Sequence, residues 1–155
     1  MFNIKIIDKE FKKNQILCEI SIWNFKEYLS LDTREWEIND YLKQWLDALD
    51  RFEKWQNKTI LLTSAWNWRV LHLDKDTVSV TEEMFRNNLF KNPYRNLKNK
   101  EKNRPLTKKE VKNLEEEWIL HWDVIPMLFS EWKTDIDSIN EFKNELILSL
   151  KRDLV

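Results

Sequence analysis

The stretch Ile38-Asn39-Asp40-Tyr41-Leu42-Lys43-Gln44-Trp45-Leu46-Asp47-Ala48-Leu49-Asp50-Arg51-Phe52 is where the period of the chain turns helical. Ile38, Tyr41, Leu42, Trp45, Leu46, Leu49 and Phe52 recur at three- and four-residue spacings and form one apolar stripe. An amphipathic helix packed on a core is therefore expected over 39–55. Asn39 reads as its N-cap with Ile38 as the staple residue before it. Asp47–Arg51 and Asp50–Lys54 set acid before base four residues apart, which favours the helix slightly. Gln44 lies off the stripe, and Asn57 marks the stop.

On the N-terminal side the period is two. Phe2, Ile4 and Ile6 alternate with Asn3, Lys5 and Ile7, and Ile16, Cys18, Ile20 and Ile22 alternate with Leu17, Glu19, Ser21 and Trp23. Lys12-Lys13-Asn14-Gln15 reads as the hairpin turn between them, with Asn14 at the bend. On the C-terminal side, 59–63 reads as a buried strand, and 70–74 and 77–81 as two short strands around Asp74-Lys75-Asp76. Thr107-Lys108-Lys109-Glu110 is a capping box for a helix carrying Val111, Leu114, Trp118 and Trp122, which Pro126 ends. A strand is expected over 128–132. Ser138 with Glu141 then opens a last helix on Ile139, Phe142, Leu146 and Leu150. Helices and strands mingle with no repeated βαβ period and no internal repeat, so the expected class is α+β, a single domain with an antiparallel sheet and packed helices.

Composition removes several functions. The 155 residues are 42% hydrophobic and 34% charged, enough for a core and too varied for a disordered chain. Glycine is absent, and phosphate-cradling loops, nucleophile elbows and dinucleotide fingerprints need backbone positions that glycine reaches most easily. Turns with positive φ must fall to asparagine or aspartate. The single cysteine, Cys18, excludes an internal disulfide and suits a reducing compartment. Residues 1–13 have no apolar signal region, and the longest apolar run, 124–129, is short and holds Pro126. A soluble, cytoplasmic protein is expected, with no membrane contact.

Catalytic and metal chemistry find little to stand on. His72-Leu73-Asp74 and His121-Trp122-Asp123 share a His-x-Asp spacing that suits a metal only on a strand. The second falls on the expected helix, and both read more simply as surface residues. Glu115-Glu116-Glu117 reads as a solvated helix face, and Cys18 as a small buried hydrophobe. Trp66, Trp68 and Phe85 would line a small-molecule pocket, but core packing explains them more simply. No enzyme activity, no cofactor, no metal and no small-molecule ligand is expected.

Charge is segregated instead. Residues 91–112 hold nine basic side chains against Glu101 and Glu110, a net +7, and read as an exposed basic loop near 91–107 leading into a helix. Phe90, Tyr94 and Leu97 lie among these lysines, which makes 91–112 the candidate nucleic-acid binder. The rest of the chain sums to −8 and would repel a polyanion. The acidic stretches 19–50 and 115–145 suit a basic protein surface better. The candidate contacts are Asp40 and Asp47 on the 39–55 helix, and Glu115, Glu116, Asp123, Glu131 and Asp135 further on.

The pattern Trp36-x-x-x-Asp40-Tyr41-x-x-Gln44-Trp45-x-x-Ala48-Leu49-x-Arg51 resembles the central motif of immunity proteins from bacterial contact-dependent growth inhibition systems, the CdiI type. Leu61-Leu62-Thr63-Ser64, Asn92-Pro93-Tyr94, Ser130-Glu131-Trp132-Lys133 and Ile139-Asn140-Glu141-Phe142 follow in matching order. The similarity covers about 1–65 and 128–145, and the basic and Glu-rich middle departs from it. The resemblance implies a cytoplasmic, non-catalytic protein that binds and neutralises the C-terminal toxin domain delivered by neighbouring cells, commonly a nuclease. It also implies that Trp36, Tyr41, Gln44 and Trp45 build the scaffold while the contacts lie among exposed charges.

Overall fold

Period-two alternation gives the first three strands, β1 (Phe2–Lys12), β2 (Gln15–Ile22) and β3 (Phe25–Asp32), in an antiparallel meander of that order. The chain is described by a computed structural model over residues 1–34, 36–52, 54, 56–63, 67–84, 108–109, 112 and 131–153. Phe2 stands opposite Ile22, Ile6 opposite Cys18 and Leu29 opposite Cys18. One face thus collects Phe2, Ile4, Ile16, Cys18, Ile20, Ile22, Leu29 and Leu31, all buried. The Asn14 turn is as expected, with φ 61°. The third strand was not legible as one, because Phe25-Lys26-Glu27-Tyr28 puts a charge, Glu27, on the inward side.

A second antiparallel sheet holds β4 (Lys58–Leu62), β5 (Asn67–Asp74), β6 (Thr77–Met84) and β7 (Glu131–Asp135) in that order. The one expected sheet is therefore two. Asp74 pairs with Thr77 and Thr77 with Asp135, so β7 closes the sheet beside β6. It runs three residues beyond the expected 128–132 strand, whose 128–130 lie outside the described residues. Positive φ falls on Lys75 and Trp23 as well as Asn14, not on asparagine or aspartate throughout. Each occupies a two-residue hairpin loop, where turn geometry outranks residue preference.

The helix α1 (Ile38–Arg51) is shorter than expected at its C-terminus, where Phe52 turns extended and Gln56 N–H donates to Arg51 O at 3.1 Å. Its N-cap is Glu37 rather than Asn39, because Asp40 at the third helical position reaches back to the Glu37 N–H at 2.9 Å. Lys54 falls beyond the helix, and Asp50 meets Lys143 of the last helix instead, at 2.7 Å. That helix, α2 (Ile136–Asp153), begins two residues before the expected Ser138. The cap is Asp135, whose Oδ1 accepts the Ser138 N–H at 2.7 Å.

One core runs through both sheets and both helices. Ring centroids step from Trp36 to Tyr41 at 5.3 Å, to Trp45 at 6.4 Å, to Phe142 at 6.3 Å and to Phe2 at 5.2 Å. This file of rings fastens α1 and α2 to β1, each contact within the span where aromatic pairs attract. The result is a single α+β domain. Among the described residues no helix is long and apolar enough to cross a membrane.

Candidate functional site

The residues of the 36–51 motif act together on the edge of a sheet. β4 is the outer strand of its sheet, and an unpaired buried edge leaves backbone polar groups without partners. Gln44 fills that place. Its Nε2 donates to Ile60 O at 2.9 Å and its Oε1 accepts from Leu62 N–H at 2.9 Å, as a neighbouring strand would. Trp45 Nε1 donates to Leu62 O at 2.7 Å, and Thr59 Oγ1 donates to Ala48 O at 3.0 Å. Gln44 is only 8% exposed, so it belongs to the buried face of α1, contrary to its expected place off the stripe. Tyr41 adds a hydrogen bond to Asp32 O at the end of β3. Burial first, and then nearby Asp32, pushes its phenol well above the usual range, so it stays a neutral donor.

A second buried polar link joins the sheets. Arg69 on β5 is fully buried; its guanidinium meets Glu27 Oε2 on β3 at 3.1 Å and Thr63 Oγ1 at 3.3 Å. Phe25 of β3 stacks on Trp132 of β7 at 4.4 Å beside it. The signal for Arg69 was its alternation with Leu71 and Leu73, which puts it on their face of β5.

Reactive chemistry is weak among the described residues. Burial pushes the Cys18 thiol up to about 12, so it carries no thiolate at neutral pH. His72 and Asp74 do share a strand face, but no group of three His, Cys, Asp or Glu residues is placed to hold a metal among the described residues. His121, Asp123, Trp66 and Phe85 lie outside the described residues, as does the side chain of Trp68.

The acidic candidates divide. Asp47 and Glu131 are exposed. Asp40 is half-buried and meets Lys108 Nζ at 2.9 Å. Burial opposes its ionisation most, but the Glu37 N–H, Lys108 and Lys43 together outweigh it and hold the carboxyl below its ordinary value. Asp135 is held low chiefly by the Ser138 N–H it caps, with the Met1 amino group adding to the effect. Asp40 and Asp135 thus already serve as helix-cap groups. Glu115, Glu116 and Asp123 lie outside the described residues, as does the basic stretch apart from Lys108, Lys109 and Lys112, which are exposed and helical. The described acids sit on α1 and at the two ends of β7, and no contact joins the two sets.

Two other surface features stand out. A groove of about 870 Å³ runs between β1 and α2, but Lys5 and Arg152 line it together with Glu141 and Glu145, so it selects neither sign of charge. Trp23, at the β2–β3 turn, leaves its indole in solvent, 56% exposed. Sequence reasoning placed Trp23 on a strand and missed it as a surface residue.

These features define a class: an α+β domain of two antiparallel sheets whose buried polar residues serve the scaffold and whose distinctive chemistry lies on its surface. The chain is similar in fold to a chain of the CdiA-CT/CdiI toxin and immunity complex from Enterobacter cloacae. The TM-score is 0.67, with 19% sequence identity over 94% of this chain and 98% of that one. The sequence matches no family model and no curated relative.

Proposed function

We propose that this chain is an immunity protein of the CdiI type: it binds the C-terminal toxin domain of a contact-dependent growth inhibition system and neutralises it stoichiometrically, in the cytoplasm and without catalysis. The observation that carries the reading is the fold shared with a chain of a toxin and immunity complex across nearly the whole length of both. The resemblance of the 36–51 motif supports it independently, and Gln44 and Trp45 supply a physical reason for such a motif, since they close the β4 edge.

Inhibition of this kind covers the substrate or the catalytic residues of the toxin with a buried anchor and a polar rim. In this reading Asp47 and Glu131 are rim contacts that meet basic toxin residues. Glu115, Glu116 and Asp123 extend the rim, and Asp40 and Asp135 add negative charge at the starts of α1 and α2. The test is protection. The reading expects a toxin gene immediately upstream of this chain, and cells producing its C-terminal domain should survive only when the chain is co-expressed. Equal killing with and without the chain at matched expression contradicts the proposal.

A further inference from the structure

We infer that Trp23 is the anchor by which this chain holds its protein partner, seated in an apolar pocket of that partner; the inference rests on the immunity reading and names its central contact. Ile22 stands opposite Phe25, so Trp23 and Asn24 form the whole β2–β3 loop. Trp23 takes φ 54°. In two-residue hairpin loops that first position belongs to glycine, or to asparagine and aspartate when both residues are left-handed. A side chain with a Cβ costs roughly 1–2 kcal/mol there.

Asn14 and Lys75 share the left-handed region, but both are polar and suited to solvent. Trp23 carries the backbone cost that asparagine largely escapes, and a largely solvated indole as well. Among the described residues no ring contact or side-chain hydrogen bond holds the indole. Trp36 and Trp45 are buried in the core and Trp132 is stacked on Phe25. A strained, exposed aromatic with no partner among the described residues is the mark of a residue kept for an external one.

The backbone that carries the indole is also braced. Trp23 N–H donates to Met1 O at 3.0 Å, which braces the turn against the first strand. Two residues on, Phe25 stacks on Trp132, which ties the base of the hairpin to β7 and brings exposed Glu131 to the same end of the molecule. Met1 is 48% exposed beside the turn and adds apolar surface. Lys26 and Lys133 are exposed there too. The surroundings therefore carry both signs of charge, and the indole is what discriminates. A turn braced in this way spares the entropy of ordering the loop backbone on binding.

The test compares wild type with Trp23→Gly and Trp23→Asn, using the toxin domain encoded immediately upstream as the probe in calorimetry and thermal melting of each variant alone. The left-handed turn favours both replacements, so both variants should melt at or above the wild-type temperature while their affinity falls by about 30-fold or more. Trp23→Phe should fall between. If wild type binds and both variants bind within about threefold of it, the anchor is overturned and the immunity reading stands. If wild type does not bind the toxin domain at all, both fail. A wild-type dimer in sedimentation that Trp23→Gly dissolves also overturns the inference, since the indole would then serve a second copy of this chain.

Discussion

Gln44 gives the sharpest handle on how the scaffold works. In Gln44→Ala the Ile60 carbonyl and the Leu62 N–H, each now bonded at 2.9 Å, lose their partners on the closed edge of β4. A buried backbone group left unpaired costs about 1–3 kcal/mol, so the pair comes to roughly 2–5 kcal/mol with the lost side-chain packing absorbed in the range. For a domain of this size each kcal/mol moves the melting temperature by about 2–4 °C, which puts the expected drop on the order of 5–15 °C. Gln44→Glu separates hydrogen bonding from volume. The new carboxylate keeps an acceptor for Leu62 N–H but sets a second acceptor against Ile60 O, so in the folded state its ionised form is disfavoured and its pKa rises above the unfolded value of about 4.3. A raised folded value means that the stability is fully present below the unfolded value and lost as pH rises through the folded one. Urea denaturation followed by circular dichroism should show Gln44→Glu near wild type relative to its own acid baseline and weakened at neutral pH. The deficit of Gln44→Ala should not depend on pH in that window. A loss under about 1 kcal/mol for Gln44→Ala, or a Gln44→Glu deficit that is flat with pH, refutes the edge-closing role.

Three further outcomes are expected. Arg69→Ala leaves Glu27 without its inter-sheet partner and removes a fully buried side chain, and should cost about 3–5 kcal/mol in denaturant unfolding. Glu27→Gln removes only the charge of a carboxylate that is 38% exposed and keeps an amide oxygen that can accept from Arg69, so it should cost less, about 1–2 kcal/mol; equal costs would show that the ion pair is all that Arg69 contributes and that its buried stem adds nothing. Asp135→Ala should lower stability at neutral pH by about 1 kcal/mol through loss of the α2 cap. Because the Asp135 carboxyl is held low in the folded state, its contribution is present above the ordinary carboxylate value and lost as pH falls through the folded one. The variant and wild-type curves should therefore converge in acid, and parallel curves would contradict the cap. Cys18 should resist a thiol reagent in the native protein and react at the rate of unfolding, whereas rapid labelling of folded protein would show that the thiol is accessible.

The scaffold was legible wherever period and burial agreed. Ile139, Phe142 and Leu146 are buried on α2 as their spacing required, and the β1–β2 hairpin turns at Asn14. Reading failed where a polar side chain occupied an apolar position. Gln44 lies three residues after Tyr41 and four before Ala48, on the stripe by angle and off it by chemistry, so its place on the β4 edge could not be read without knowing that an edge was there. Glu27 and Arg69 hid each other in the same way, since each looks like a surface residue until the second sheet brings its partner. The starts of α1 and α2 moved by one and two residues because Asp40 and Asp135, singled out as surface acids, also serve as cap groups. Trp23 reads as the last residue of an alternating strand, on the side of Leu17, Glu19 and Ser21, until the register places it in a two-residue loop.

The central claim is that this chain is a stoichiometric toxin inhibitor, and calorimetric titration with the toxin domain encoded immediately upstream tests it most directly. A one-to-one complex of nanomolar affinity, about −12 kcal/mol, with toxin activity abolished at equivalence is the expected result. No heat of binding from folded partners, with the toxin fully active at a molar excess of this chain, would contradict it.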